Sequence, residues 1–395
     1  MKKSVTIIGS GPAALMLACA LDSSKFDVTV YEKNFAPARK FLVAGDGGFN
    51  ITHSENIEQF ILRYTPHDFL ENSLRAFNNE NLRNWLKKIG IETFVGTSKR
   101  VFPVKGIKPV EVLNAILGVL KKKKVTIKTL HEWKGWQNNN LLFAYKGEKI
   151  LVKSDFVVFA LGGVSWSKTG SDGSWAKFFT EKNIEVLPFQ ASNCAYQIHW
   201  VKSFISRYEG KSLKNISLTC GGAEKKGELV ITKFGIEGGA VYALSPQIRK
   251  QFSENNFATV FIDLKPSFTS QEIENKIKKN VSLTQTLKDE LNLSLLQIAL
   301  LKLLTTKEEF LDYKKLADKI KNLPLQIVGT APVDEAISSV GGISLSEVNK
   351  NFELKKLPHH FVIGEMLDWD APTGGYLLQA CFSMGRWAGE KINLF

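Results

Sequence analysis

Six residues near the start, GSGPAA from Gly9 to Ala14, have the spacing G-x-G-x-x-A, behind the apolar run SVTIIG and ahead of the helical pattern PAALMLACALDSS. The chemistry that needs this arrangement is the holding of a diphosphate. Gly9 permits a tight turn, Gly11 lets main chain approach the anion, and Ala14 keeps the helix close to its strand. Pro12 and Ala13 open that helix, whose free N–H groups face the ligand. Glu32 ends a second β-branched run, DVTVYEK, where a carboxylate is expected to meet an adenosine ribose, with Lys33 beside it.

Glu32 repels a 2'-phosphate, which narrows the dinucleotide to NAD or FAD. The stretch RKFLVAGDGGFNIT, Arg39 to Thr52, favours FAD. Arg39 and Lys40 supply charge, and Gly45, Gly47 and Gly48, with Ala44 and Asp46 in the same expected cofactor loop, let main chain lie against a cofactor. Asn50 and Thr52 supply side-chain hydrogen bonds. The other half of such a site is expected from the far end, FVIGEMLDWDAPTGGYLLQA. There Gly364, Glu365 and Asp368 follow a strand, with carboxylates suited to ribityl or ribose hydroxyls. Gly374, Gly375 and Tyr376 open a helix whose positive end suits the flavin pyrimidine edge. FALGG adds Ala160, Gly162 and Gly163 at a third strand end near the diphosphate.

These residues need a sheet to hold them. SVTIIG, a helix and DVTVYEK form a βαβ unit, and helices are predicted over NENLRNWLKKIG and PVEVLNAILGVL. VTIKTL, a hairpin about the asparagines of WKGWQNNNLLFAYKG, and the buried strand FVVFALGG follow. Short β segments then dominate (ISLTCGG, ELVITKFG, ATVFIDL), before a lysine-rich helical stretch opening with the capping box TSQE, Thr269 to Glu272. The expected organisation is a dinucleotide-binding domain at 1–188 and 341–395. A β-rich insert for substrate is expected at 189–268 and 323–340, and a helical insert at 269–322.

Several classes are excluded. No apolar run approaches the length of a membrane span, and the N-terminal run stops at Gly9 without a cleavage site, so a cytoplasmic protein is expected. Cys19, Cys194, Cys220 and Cys381 form no C-x-x-C pair, which argues against a metal site or disulfide framework. The net charge of +13 is read as ordinary lysine richness rather than nucleic-acid contact, since the densest run, Lys121 to Lys124, falls at a helix C-terminus. There is no second G-x-G-x-x-G, so no dedicated NAD(P)H domain is expected. Reduction would come from the organic substrate, or from NAD(P)H bound without that motif. His53, Phe102, Pro103, Tyr242 and Tyr376 are candidates for the flavin's surroundings, and no catalytic base is assigned.

In GSGPAALMLA, KFLVAGDGGFNITHSE, KRVFPVKGIKPVEVL, ALGGVSWSKTGSDGSW, TKFGIEGGAVYALS, TAPVDEAISSVGGIS and GEMLDWDAPTGGYLLQA, the sequence resembles the BaiN-like flavoproteins, a family that includes aminoacetone oxidases. The resemblance implies an α/β protein with a glutathione-reductase-like FAD-binding Rossmann domain, interrupted by a β-rich domain that carries a helical insertion. It also implies an FAD-dependent oxidoreductase or oxidase acting on a small organic molecule, amines included, by hydride transfer at flavin N5. The alternatives are a tRNA-modifying flavoprotein and a flavin-binding regulator without turnover. Gly48 and Phe49 stand where many members carry arginine and cysteine, so a role for that cysteine does not transfer.

Overall fold

The computed structural model describes residues 1–43, 48–278 and 283–395. Ala44, Gly45, Asp46 and Gly47, assigned above to a cofactor loop, lie outside the described residues. The chain forms two compact units, 1–191 with 337–395, and 192–336.

The first unit is built on β1 (Lys3–Ile8), α1 (Pro12–Ala20), β2 (Phe26–Tyr31), α2 (Pro109–Lys122), β3 (Thr126–Lys128), β4 (Phe156–Phe159), β5 (His360–Val362) and α3 (Tyr376–Ile392). The strands run parallel in the order β5-β4-β1-β2-β3. The chain therefore leaves β1 to one side toward β2 and returns on the other as β4. That reversal opens a crevice beyond the carboxyl end of β1, where Gly9 sits. β4 is buried along its whole length, as expected of a strand covered on both faces.

Helix α1 is apolar on all sides and buried from Ala13 to Cys19, so it sits inside the unit rather than on its surface. It packs against α3, and glycines of α3 permit the approach. A Cβ at Gly385 would collide with the Ala13 carbonyl, and one at Gly389 would lie 2.7 Å from Ala20 Cβ. The lysine run after α2 has a local purpose, because Lys123 Nζ donates to the Leu21 carbonyl (2.7 Å) at the end of α1. The expected asparagine hairpin joins Glu132–Gln137 to Asn140–Tyr145. Asn138 and Asn139 take φ of 51° and 60°, the left-handed pair that a two-residue hairpin turn requires.

The second unit holds a seven-stranded antiparallel sheet in the order Leu323–Ile327, Ala258–Asp263, Ser212–Cys220, Ala223–Ile231, Gly235–Glu237, Tyr196–Gln197, Gly329–Thr330. Its helical segment opens at Ser270–Ile277, where Thr269 accepts from the Glu272 amide and the Glu272 carboxylate returns to the Thr269 amide. Leu283–Asp289, Leu295–Leu304, Lys307–Leu311 and Tyr313–Lys321 complete it.

Candidate functional site

Gly9 takes φ of +97°, and a Cβ there would strike the Ala160 carbonyl, so β1 can turn against β4 only with glycine. Gly11 differs: its φ is an ordinary −71°, and a Cβ would meet nothing within 4 Å. Open space therefore lies in front of the mouth of α1, whose first amides point there without side-chain caps. Around it is a cleft of about 1060 Å³, counted out to solvent. Of the sequence-derived residues, Gly9, Gly11, Pro12, Ala13, Glu32, Lys33, Arg39, Lys40, Ala160, Gly162, Gly364 and Glu365 line it.

Glu32 is nearly buried and held from two sides. Ser10 Oγ donates to one carboxylate oxygen at 2.5 Å, while the Asn34 backbone and side-chain amides both donate to the other at 2.8 Å. Asn34 Oδ1 in turn accepts from Arg39 at 3.1 Å. Across the cleft, Lys40 Nζ donates to Ser165 Oγ (2.7 Å) and to Glu365 (3.1 Å). The 161–175 segment closes one wall. Ser171 Oγ donates to the Leu161 carbonyl at 2.8 Å, and Trp175 Nε1 donates to the Gly162 carbonyl at 3.1 Å. Asp172 pairs with Lys33 at 2.9 Å. Burial would raise the Asp172 carboxyl, but hydrogen bonds from Ser174 and Lys33 outweigh it and bring the carboxyl down to about 2.

Other expected residues lie elsewhere. Ala14 is fully buried in the helix packing, and a Cβ at Gly163 would collide with Ser339 Oγ, so both serve close approach rather than the cleft wall. Asp368 was expected on a cofactor hydroxyl, but its carboxylate takes the Gly341 amide at 2.8 Å. Thr52 is buried and donates to Gln379 at 2.8 Å. Gly48, at φ +116°, faces the Phe102 ring. Gly375 is pressed onto Thr52, where a Cβ would lie 2.5 Å from Thr52 Cα, and a Cβ at Gly374 would touch the Tyr376 ring.

Tyr376 belongs to a separate network. Its hydroxyl donates to Glu55 at 2.6 Å, Arg63 holds the same carboxylate through two hydrogen bonds of 3.0 and 2.9 Å, and His53 stacks on the Tyr376 ring. Burial would raise Glu55, but hydrogen bonds from Arg63 and Tyr376 keep it below the ordinary carboxylate value. Burial, reinforced by the Glu55 charge, pushes the Tyr376 hydroxyl far up, so it stays protonated and donating. His53 accepts the Glu55 amide on Nδ1, and burial lowers its basicity, so the ring is neutral.

Among the described residues of the first unit two buried donors, Asn50 Nδ2 and Trp133 Nε1, have no hydrogen-bond partner, and Trp133 lines the cleft. A buried donor is seldom left unpaired, so the Trp133 N–H fits a ligand that brings acceptors, as a dinucleotide does. The sequence reading missed Ser10, Asn34, Ala38, His131, Trp133, Asp172, Trp175 and Cys381 as lining residues. A signal existed only for Ser10, a hydroxyl between the two glycines and next to the strand that ends in Glu32. Among the described residues no group of side chains could hold a metal ion, and no helix is long and apolar enough to cross a membrane.

A parallel sheet with a glycine-opened crevice, a buried carboxylate at the end of β2 and a separate antiparallel unit place the chain in the class of FAD-dependent oxidoreductases with a Rossmann core. Within it, the chain belongs to the family described as HI0933-like protein Rossmann domain, whose model matches residues 3–391. It is 26% identical to the ribosomal RNA dihydrouridine synthase of Haemophilus influenzae, covering 95% of each chain. It is 24% identical to the 3-dehydro-bile acid delta(4,6)-reductase of Clostridium scindens, covering 98% of each. In fold it is similar to the 3-ketosteroid-delta4-(5alpha)-dehydrogenase of Rhodococcus jostii, with a TM-score of 0.50, 14% identity, and 98% and 96% of the two chains covered.

Proposed function

We propose that this FAD-dependent oxidoreductase is a reductase that adds two hydrogens across a carbon–carbon double bond conjugated to a carbonyl. The observation that carries the reading is the product chemistry in the names of two relatives that match along nearly their whole length. Dihydrouridine is uridine with its ring double bond reduced, and a delta(4,6)-reductase acts on an unsaturated 3-oxo compound. The substrates differ, but the bond is of one kind, a C=C polarised by a carbonyl.

Reduced FAD, when bound, would supply a hydride to the carbon β to the carbonyl, with a proton from solvent completing the α carbon. The chain's own residues hold and orient. The amides at the mouth of α1 take the diphosphate, with Arg39 and Lys40 adding positive charge. Glu32, fixed by Ser10 and Asn34, would meet the adenosine ribose, and Glu365, which lines the cleft beside Lys40, would meet the ribityl hydroxyls. Trp133 Nε1, a buried donor on the cleft wall with no protein partner, would be available to a cofactor acceptor.

The reading is tested by anaerobic titration of the purified holoprotein. NADH or NADPH is expected to bleach the flavin, and a conjugated enone or a uridine oligonucleotide to restore its colour with consumption of the double bond. Bleaching by a primary amine, with colour restored only by oxygen, would instead establish the amine-oxidase reading.

A further inference from the structure

The second unit carries a surface that the flavin chemistry does not use. Two stretches far apart in sequence are laced together there. Gly210 N donates to the Ile231 carbonyl (2.8 Å), Ile231 N to the Lys211 carbonyl (3.0 Å), and Ile198 N to the Phe234 carbonyl (2.8 Å). Trp200 Nε1 donates to the Gly235 carbonyl at 3.2 Å. These bonds set the helix Lys202–Tyr208 and the start of Ser212–Cys220 beside the tip between Ala223–Ile231 and Gly235–Glu237.

The juxtaposed side chains are of two kinds. Lys202, Arg207, Lys211, Lys214 and Lys233 are all exposed, and none has a carboxylate partner. In the helical segment several lysines are paired instead: Lys278 with Glu274, Lys319 with Glu309, and Lys321 with Asp263. The carboxylates of 199–237 are Glu209, Glu224, Glu228 and Glu237, with Glu224 and Glu237 at the strand ends away from the tip. Among these cations Phe234 stands 51% exposed with Lys233 Nζ 4.7 Å above its ring, and Trp200 is half-buried nearby.

Uncompensated cations attract a polyanion, but they do not explain why a large aromatic ring is left in water among them. A strand of RNA answers both, since its phosphates meet the cations and an unpaired base has a flat face to stack on the ring. We infer that this surface, centred on Lys211, Lys233 and Phe234, binds single-stranded RNA. The inference stands on the surface alone and goes beyond the reaction proposed above.

The test is fluorescence anisotropy of a labelled single-stranded oligouridylate with the purified holoprotein across a salt series. Engagement of four phosphates gives a slope of log K against log salt of about −3. The double variant Lys211→Glu with Lys233→Glu is expected to weaken binding at least tenfold. Phe234→Ala is expected to weaken the oligonucleotide severalfold but leave inorganic polyphosphate unaffected, which separates stacking from charge. Lys319→Glu, in the helical segment, is expected to change nothing, and circular dichroism confirms that each variant is folded. Absence of binding at low salt, equal loss with Lys319→Glu, indifference to Phe234→Ala, or preference for anionic phospholipid vesicles overturns the inference. Flavin bleaching and enone reduction are read on the same samples, so failure of RNA binding with turnover intact sinks this inference and leaves the proposed reaction standing.

Discussion

Two helices of the first unit begin at glycines, and the glycines do opposite things. At the mouth of α1, Gly11 has ordinary backbone angles and nothing within 4 Å of where a Cβ would lie. At the mouth of α3, Gly375 has φ of +96° and is pressed onto the main chain of Thr52. The first glycine keeps room for a ligand, whereas the second lets two pieces of protein touch. In sequence, GSGPAA and PTGGYLLQA look alike, because both needs are met by the same missing Cβ.

The sharpest way to break this contrast is Gly375→Ala. The added methyl meets backbone at 2.5 Å in a conformation that L residues avoid, so a loss of about 3 kcal/mol or more is expected in denaturant unfolding. A near-neutral result would mean that the α3 mouth has slack and could admit a ligand after all. Next is Tyr376→Phe, which removes a hydrogen bond to an ionised carboxylate at the same mouth and is expected to cost about 1–2 kcal/mol near pH 7. Because Glu55 is held below its ordinary value of 4.5, its contribution is complete above that value and disappears as pH falls through the lowered one. The gap in melting temperature between Tyr376→Phe and the wild type should therefore be full at neutral pH and narrow as the pH falls below 4.5.

The smallest effect is expected on the cleft side, from Asp172→Asn. Its pairing with Lys33 is largely exposed, so the expected loss is below about 0.5 kcal/mol at pH 7. Its carboxyl titrates at about 2 in the fold against 3.8 ordinarily, so that small difference persists above 3.8 and vanishes as pH falls toward 2. A large loss at neutral pH would show that the 161–175 wall depends on this pair.

The parallel sheet and the α1 mouth were legible in the sequence because each is local. An apolar run, G-x-G-x-x-A and a terminal carboxylate are fixed by steric and hydrogen-bonding needs within about 30 residues. The fates of Asp368 and Thr52 were not legible, since a carboxylate or hydroxyl beside a glycine turn satisfies a cofactor or the protein's own amides equally well. Asp368 satisfies Gly341, across a separation the sequence gives no reason to bridge. Trp133 was hidden for a similar reason: its hairpin looks like ordinary antiparallel structure, and only the folded chain brings its unpaired indole N–H to the cleft. The cationic surface around Phe234 escaped because net charge averages paired and unpaired lysines alike.

The central claim is that the open mouth of α1 receives the FAD diphosphate. Calorimetric titration of FAD into cofactor-free wild type and Gly11→Ala tests it most directly, since the methyl meets no protein atom within 4 Å. The account predicts melting of the cofactor-free proteins matched to within about 0.5 kcal/mol and FAD affinity lowered by on the order of tenfold in the variant. Equal FAD affinity for the two proteins would contradict it.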